Sequence, residues 1–265
     1  MYKTVHLFGL DFISAPSHAD IIEHIMDYRK NPDYVHKLPF VITPNADQIV
    51  KLDQAQHHAL KEKLTNALFI LPDGYPIIWF SRLIRKPLKA RLTGSDLFPI
   101  LWQNAKRHNQ KILVIVSHES LGLKLKQDYD NIVYYAPPFF ELQSAIFDNV
   151  CQDIIDKIKD FKPQYVIIGM GFPKQEWLGL AIHNTLKEQA IPSPLFLCLG
   201  ASAEFFIGIK KRAPLFLQKI GLEWLYRLLQ EPKRMWRRYI LGAIFLLRLY
   251  VKELKKEFSR KKSSA

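Results

Sequence analysis

The sequence predicts an α/β fold, a mostly parallel sheet covered by helices on both faces, and three observations carry that prediction. Short β-rich runs of three to five residues recur over the first two hundred positions. Helix-length polar and amphipathic stretches separate them, and several of the runs end in a turn rich in Gly, Pro, Asn or Asp. Strands alternating with helices imply parallel pairing with a helix layer on each side.

In chain order, Val-His-Leu at 5–7 alternates apolar and polar residues and reads as the first strand, followed by a predicted helix over 19–29. Phe-Val-Ile at 40–42 is the second strand, and the long stretch 46–63 reads as one helix. Leu-Phe-Ile-Leu at 68–71 is the third strand, with a helix over 95–109 after it. The apolar runs at 112–116 and 132–135 are the fourth and fifth strands, and a helix over 142–159 comes next. Tyr-Val-Ile-Ile at 165–168 is the sixth, a helix covers 175–188, and Leu-Phe-Leu-Cys-Leu at 195–199 closes a Rossmann-like core.

Charge divides the chain. Residues 210–265 hold sixteen Lys/Arg against four Glu, so they supply twelve of the thirteen net positive charges. They interleave this charge with Trp224, Tyr226, Trp236, Tyr239, Phe245, Leu246, Leu247 and Tyr250. A basic amphipathic helical segment of this kind suits an anionic lipid or phosphate surface. Two units are therefore expected: a core over 1–209 and a C-terminal appendage over 210–265. The apolar run 239–251 contains Arg248 and is shorter than the roughly 20 residues a membrane span needs. Residues 1–12 lack the charged and apolar regions of a signal peptide, so a cytoplasmic location is expected. Cys151 and Cys198 lie in apolar surroundings without metal-type spacing, which fits reduced packing thiols.

The turn after each strand points to the site, because open α/β sheets bind ligands at the strands' carboxyl ends. Those ends read Thr43-Pro44-Asn45, Pro72-Asp73-Gly74, Gly169-Met170-Gly171-Phe172-Pro173-Lys174-Gln175 and Gly200-Ala201-Ser202. Asp73 sits in a Pro-Asp-Gly turn and is compatible with both a structural turn and a general base. Gly169-Met170-Gly171 lacks the third glycine of a dinucleotide fingerprint but suits a tight turn into a helix whose N-terminus faces a phosphate or sugar hydroxyl; a plain helix start with a solvated Lys174 fits equally. Gly200-Ala201-Ser202-Ala203-Glu204 approaches a nucleophile elbow, yet all nine histidines precede it, opposite to the order such hydrolases use. Asp128-Tyr129-Asp130 has the form of a cation-binding D-x-D and reads as a charged turn, while His57-His58 and Glu23-His24 lack zinc spacing, so no metal is expected. Arg91 and Lys89 precede Thr93-Gly94-Ser95-Asp96, a capping turn beside which basic groups suit a pyrophosphate. Arg227, Arg234 and Arg237 are spaced to share one helical face, interrupted by Pro232, and guanidiniums match phosphate oxygens bidentately.

These residues resemble the bacterial WecG/TagA/CpsF glycosyltransferases. The resemblance runs through Thr43-Pro44-Asn45, Leu71-Pro72-Asp73-Gly74, Arg91-Leu92-Thr93-Gly94-Ser95-Asp96-Leu97, Gly169 to Glu176, Lys211-Arg212-Ala213-Pro214 and Gly221-Leu222-Glu223-Trp224-Leu225-Tyr226-Arg227 to Pro232. It implies inverting, metal-independent transfer of a glucose, N-acetylmannosamine or N-acetylmannosaminuronic acid type sugar, with no cofactor. The donor would be a UDP-sugar and the acceptor an undecaprenyl-diphosphate-linked sugar used for surface polysaccharide, capsule or teichoic acid. The resemblance further implies a peripheral place on the inner face of the cell membrane and an appendage that completes the site. Carried over by position, Asp73 looks like the catalytic base. Thr43, Asn45 and Gln175 look like sugar or acceptor contacts, Arg91 with Gly94 and Gly171 like substrate-binding positions, and Arg227, Arg234 and Arg237 like holders of the nucleotide diphosphate. Ala203-Glu204 stands where the family often has Phe-Asp, and Ser117-His118-Glu119-Ser120 replaces a more glycine-rich loop, which bears on the donor sugar. The competing reading is a nucleic-acid-binding protein using the basic tail, which accounts for the charge but not for the polar strand ends. An oligomer is open, through the tail's apolar face.

Overall fold

The computed structural model describes the backbone of residues 3–230 and 232–263, and the side chains of those residues apart from 33, 219, 227, 234, 235, 237–241 and 257–263. Its strands are β1 (Thr4–Leu7), β2 (Leu10–Ile13), β3 (Leu38–Ile42), β4 (Ala67–Ile70), β5 (Ile112–Ile115), β6 (Ile132–Tyr135), β7 (Tyr165–Ile168) and β8 (Leu195–Cys198). The first helices are α1 (His18–Met26), α2 (Ala46–Leu52), α3 (His58–Leu64), α4 (Tyr75–Leu83), α5 (Gly94–Arg107) and α6 (Glu119–Asp128). After them come α7 (Ala145–Phe161), α8 (Lys174–Glu188), α9 (Ser202–Phe206), α10 (Leu215–Lys219), α11 (Glu223–Gln230) and α12 (Pro232–Ser263).

Six strands form one parallel sheet in the order β4-β3-β8-β7-β5-β6, so the predicted α/β class holds. Alternate strand residues feed two cores, as the two-residue period of a strand requires. Phe40, Ile42, Ile115, Ile168, Phe196 and Cys198 pack with α7, α8 and α4 on one face. Val41, Phe69, Val114, Ile167 and Leu197 pack with α1, α5 and α6 on the other.

Three sequence expectations change. The run 5–7 is not part of the large sheet: Phe8 and Gly9, both at positive φ (56° and 78°), reverse the chain and pair β1 antiparallel with β2. The stretch 46–63 is two helices joined by a 3₁₀ turn at Ala55–His57, and the break falls at Asp53, whose carboxylate pairs with Lys61 and Lys252. Three helices of the first 209 residues absent from the sequence reading, α4, α6 and α9, come directly after β4, β5 and β8.

After β8 the chain runs through α10 and α11 into α12, whose far half returns to the core. Leu249 is buried there, and the Tyr250 ring stacks on Phe80 at 4.1 Å. Tyr250 also donates its hydroxyl to the Pro76 carbonyl at 2.7 Å. The buried Glu253 carboxylate accepts the Phe8 backbone N–H at 3.1 Å, satisfying a donor that the tight β1–β2 turn leaves outside the ladder. No helix among the described residues is long and apolar enough to cross a membrane.

Candidate active site

Asp73 is presented by a turn with a defined geometry. Leu71 closes the β3–β4 ladder by donating its N–H to Ile42, and Gly74 then adopts φ +112°, ψ 140° as the residue before α4. An L side chain rarely takes that conformation, so the glycine lets the chain turn abruptly from strand into helix. Pro76, at the start of α4, needs no N–H partner there. Asp73 therefore stands at the carboxyl end of β4, on the rim of a cleft of about 380 Å³.

The cleft is lined by Asn45, Asp47, Asp73, Tyr75 and Arg91 on one side and by Gly221, Glu223, Trp224, Gly242 and Leu246 on the other. Asn45, Asp73 and Arg91, singled out from the sequence, thus share one cavity. Asn45 has a second duty as the N-cap of α2: its side-chain oxygen accepts from Gln48 N–H while the Gln48 side chain accepts the Asn45 N–H in return.

Around Arg91 lies a chain of alternating charge. Its guanidinium lies over the Tyr75 ring at 5.1 Å, donates to Glu223 at 3.2 Å and approaches Asp96 at 4.0 Å. Asp96 in turn accepts from Arg212 at 2.5 Å and from the Thr93 hydroxyl at 2.7 Å. Burial pushes the Asp96 carboxyl up, but the bonds from Arg212 and Thr93 outweigh it and hold it below the usual range. For Arg212, burial is likewise outweighed by the Asp96 bond and by the charges of Asp96, Glu223 and Asp73, which keep the guanidinium charged. His18, buried beside this group with Nε2 3.0 Å from the Thr93 carbonyl, is pushed down by burial and by Arg91 and Arg212, so it is neutral near pH 7.

Thr43, Gly94, Gly171 and Gln175 are not among the residues that line this cleft. A Cβ on Gly94 would sit 3.1 Å from the Thr43 hydroxyl and 3.2 Å from that of Ser202, so Thr43 and Gly94 meet at the base of α5 and do not line the cavity. Gln175 is buried and its amide is engaged at both ends, accepting the Gly200 N–H at 3.0 Å and donating to Glu176 at 2.8 Å. Glu176 is fully buried, and burial pushes its carboxyl up to about 7. Gly171 is open: a Cβ added there would meet nothing within 4 Å, so crowding does not demand a glycine. Lys174 is half-buried and has partners: it bonds the Phe140 carbonyl and lies over the Phe139 and Phe140 rings. The side chains of Arg227, Arg234 and Arg237 lie outside the described residues.

A second polar group sits where β5 and β8 end, with the Ser117 hydroxyl donating to Glu204 at 2.8 Å and Lys210 paired with the same carboxylate. Neighbouring strands β7 and β5 continue in opposite directions, to β8 and to β6, which is the topological switch point of the sheet. Of the remaining motifs, Ser202 is buried with its hydroxyl on the Leu199 carbonyl, and Asp128 holds Trp102 Nε1 at 2.7 Å and Lys106, so both are structural. Among the described residues no group of three or more His, Cys, Asp or Glu is arranged to hold a metal ion. Burial raises both cysteine thiols, that of Cys151 to about 12, which fits packing rather than reactivity.

Residue-by-residue reading of the sequence misses Tyr75, Arg212, Glu223 and Trp224 as neighbours of Asp73 and Arg91. Their signal is present as motif blocks around Lys211-Arg212-Ala213-Pro214 and Gly221-Leu222-Glu223-Trp224, without anything to say which side chain faces the cleft.

N-acetylglucosaminyldiphosphoundecaprenol N-acetyl-beta-D-mannosaminyltransferases of Staphylococcus aureus strains MW2 and NCTC 8325 are each 31% identical to this chain over 238 residues, 88% of this chain and 87% of theirs. The protein of that name from strain MRSA252 is 30% identical over the same share. Residues 5–260 match the Glycosyl transferase WecG/TagA/CpsF family. With that match spanning strands, cleft and C-terminal helices alike, the chain belongs to the WecG/TagA/CpsF glycosyltransferase family.

Proposed function

We propose that this protein is an inverting glycosyltransferase that moves a hexose or N-acetylhexosamine-type sugar from a UDP-sugar to an undecaprenyl-diphosphate-linked sugar, without a metal ion. The observation that carries the reading is the shared cleft, in which a carboxylate at a strand end, Asp73, lies in one cavity with a guanidinium, Arg91. Support for the substrate class comes from the Staphylococcus aureus relatives, whose name specifies an undecaprenyl-diphosphate-linked N-acetylglucosamine and a β-linked N-acetylmannosaminyl product. A single displacement on an α-linked UDP-sugar yields that β configuration.

In this mechanism the acceptor hydroxyl attacks the anomeric carbon as Asp73 takes its proton. The bond from that carbon to the UDP oxygen breaks with its electron pair leaving on the diphosphate. The developing charge is stabilised by Arg91 and by Arg227, Arg234 and Arg237, which fits the net charge that residues 210–265 bring. The switch-point group of Ser117 and Glu204, together with open Gly171, is the place for the nucleoside.

The same reading treats residues 1–209 as the catalytic core and 210–265 as an appendage that completes the cleft and holds it to the membrane surface. Six appendage residues in the cleft wall, Gly221 to Leu246, support the first part. Exposed apolar side chains support the second, among them Leu215 (71%), Phe216 (68%) and Leu229 (74%).

The deciding experiment measures UDP release from a panel of UDP-sugars with a polyprenyl-diphosphate-linked sugar acceptor in liposomes and excess EDTA. Acceptor-dependent release with one donor is expected. Release that requires an added divalent cation would overturn metal independence, and tight salt-dependent binding to generic DNA with no transfer would favour the nucleic-acid reading.

A further inference from the structure

Arg91 reaches the cleft from a loop of the core, yet its orientation is set from both directions along the chain. Arg212, Asp96, Arg91 and Glu223 form a row of alternating charge in which the two outer members come from the segment after β8 and the two inner ones from the loop and first turn of α5. Thr93 fixes the Asp96 end, since its hydroxyl both donates to that carboxylate and accepts the Asp96 N–H. Glu223 fixes the other end as the first residue of α11. Arg91 and Glu223 are each only 14% exposed, so this pair is far less screened than a surface ion pair. The Tyr75 ring lies on one side of the guanidinium, its centroid 5.1 Å from Cζ.

We infer that Glu223 is a positioning residue for Arg91: with Asp96 and Arg212 behind it, the α11 carboxylate holds the guanidinium in the wall of the cleft that Asp73 shares, so the core presents this cation correctly only with α11 in place. Removing the charge at 223 leaves Arg91 with Asp96 at 4.0 Å as its neighbouring carboxylate in the row, and the guanidinium turns toward that side, out of the cleft. The functional half of this inference rests on the glycosyltransferase reading above, because Arg91 matters to turnover only if the cleft binds a diphosphate sugar. The link between Glu223 and Arg91 does not depend on that reading.

The test compares full-length wild type, Glu223→Gln, Arg91→Ala and the double variant. Phenylglyoxal reads the guanidinium without substrate. Release from a carboxylate partner is expected to make Arg91 react about tenfold faster in Glu223→Gln, quantified on the Arg91 peptide by mass spectrometry. Unchanged labelling overturns the link. In the transfer assay, Glu223→Gln is expected to raise KM for the UDP-sugar about tenfold with a smaller change in kcat, and to add nothing in the Arg91→Ala background. Additive losses would mean that Glu223 acts on its own and not through Arg91. A wild-type chain that transfers no sugar sinks the glycosyltransferase reading and leaves the labelling result to decide the positioning.

Discussion

Asp73 shows how a single residue can be legible in sequence while its surroundings are not. Its Pro-Asp-Gly context marks a turn, and its place after an apolar run marks a strand end; both features are local. Its neighbours Arg91 and Glu223 come from 18 and 150 positions away, and no spacing rule links them. Replacing Asp73 by Asn is expected to lower transfer by about 10²–10⁴-fold with an unchanged circular dichroism spectrum; turnover within a few-fold of wild type would remove the base assignment. Gln175 teaches the opposite lesson. Its motif suggests a ligand contact, and the structure adds what the motif does not show: each end of its amide already bonds within the protein, to Glu176 and to the Gly200 N–H, tying α8 to the turn after β8. The buried partner, Glu176, prefers to be neutral: its folded-state value of about 7 lies above the ordinary 4.5, so its favourable contribution is complete at low pH and is lost as pH rises through 7. Glu176→Gln is therefore expected to leave stability near pH 4.5 almost unchanged and to raise it at pH 8 by on the order of 3 kcal/mol. Equal melting shifts at the two pH values would show that burial does not perturb this carboxyl.

At the scale of elements, the helices and strands that the sequence announces are those whose apolar pattern is continuous and whose ends carry signals. Thr93 at the start of α5 and Ser144 at the start of α7 each accept the backbone N–H three residues on, and both helices lie close to where periodicity puts them. Elements are misread where tertiary partners decide the outcome. The 46–63 stretch breaks at Asp53, the C-cap of α2, whose carboxylate meets two lysines, one of them 199 residues away on α12. The far half of α12 docks through Tyr250 and Glu253, contacts invisible to periodicity. Glu253→Ala removes the acceptor for the buried Phe8 N–H and is expected to cost about 1–3 kcal/mol in urea unfolding. Glu253→Gln, which keeps an acceptor, is expected to cost clearly less; equal losses would mean that packing rather than the hydrogen bond carries the effect.

For the whole molecule, α11 and α12 form part of the cleft wall, α12 covers Phe8 and Phe80, and the segment from α10 onward exposes large apolar side chains beside basic ones. If the exposed face meets lipid, Leu215→Glu with Phe216→Glu is expected to reduce cosedimentation with anionic liposomes at least about tenfold while leaving the melting temperature within a few degrees, since both side chains are exposed. Binding unchanged by the pair would move the membrane contact elsewhere. Truncation after residue 209 is expected to abolish transfer and also to lower the melting temperature, because it uncovers the surface that Leu249 and Tyr250 now bury. By itself, the sequence determined the α/β class, the carboxyl-end location of the polar turns, the candidate base and the concentration of charge after residue 209, because strand and helix periods, turn chemistry and net charge are written in neighbouring residues. Only the tertiary structure decided that β1 leaves the main sheet, that Gln175 is buried with its amide bonded to Glu176 and Gly200, that α12 returns to the core, and that Arg91 is held by Glu223. Each of these depends on which distant side chains share a low-dielectric space, where a buried charge or N–H must find a partner however far away in the chain that partner lies.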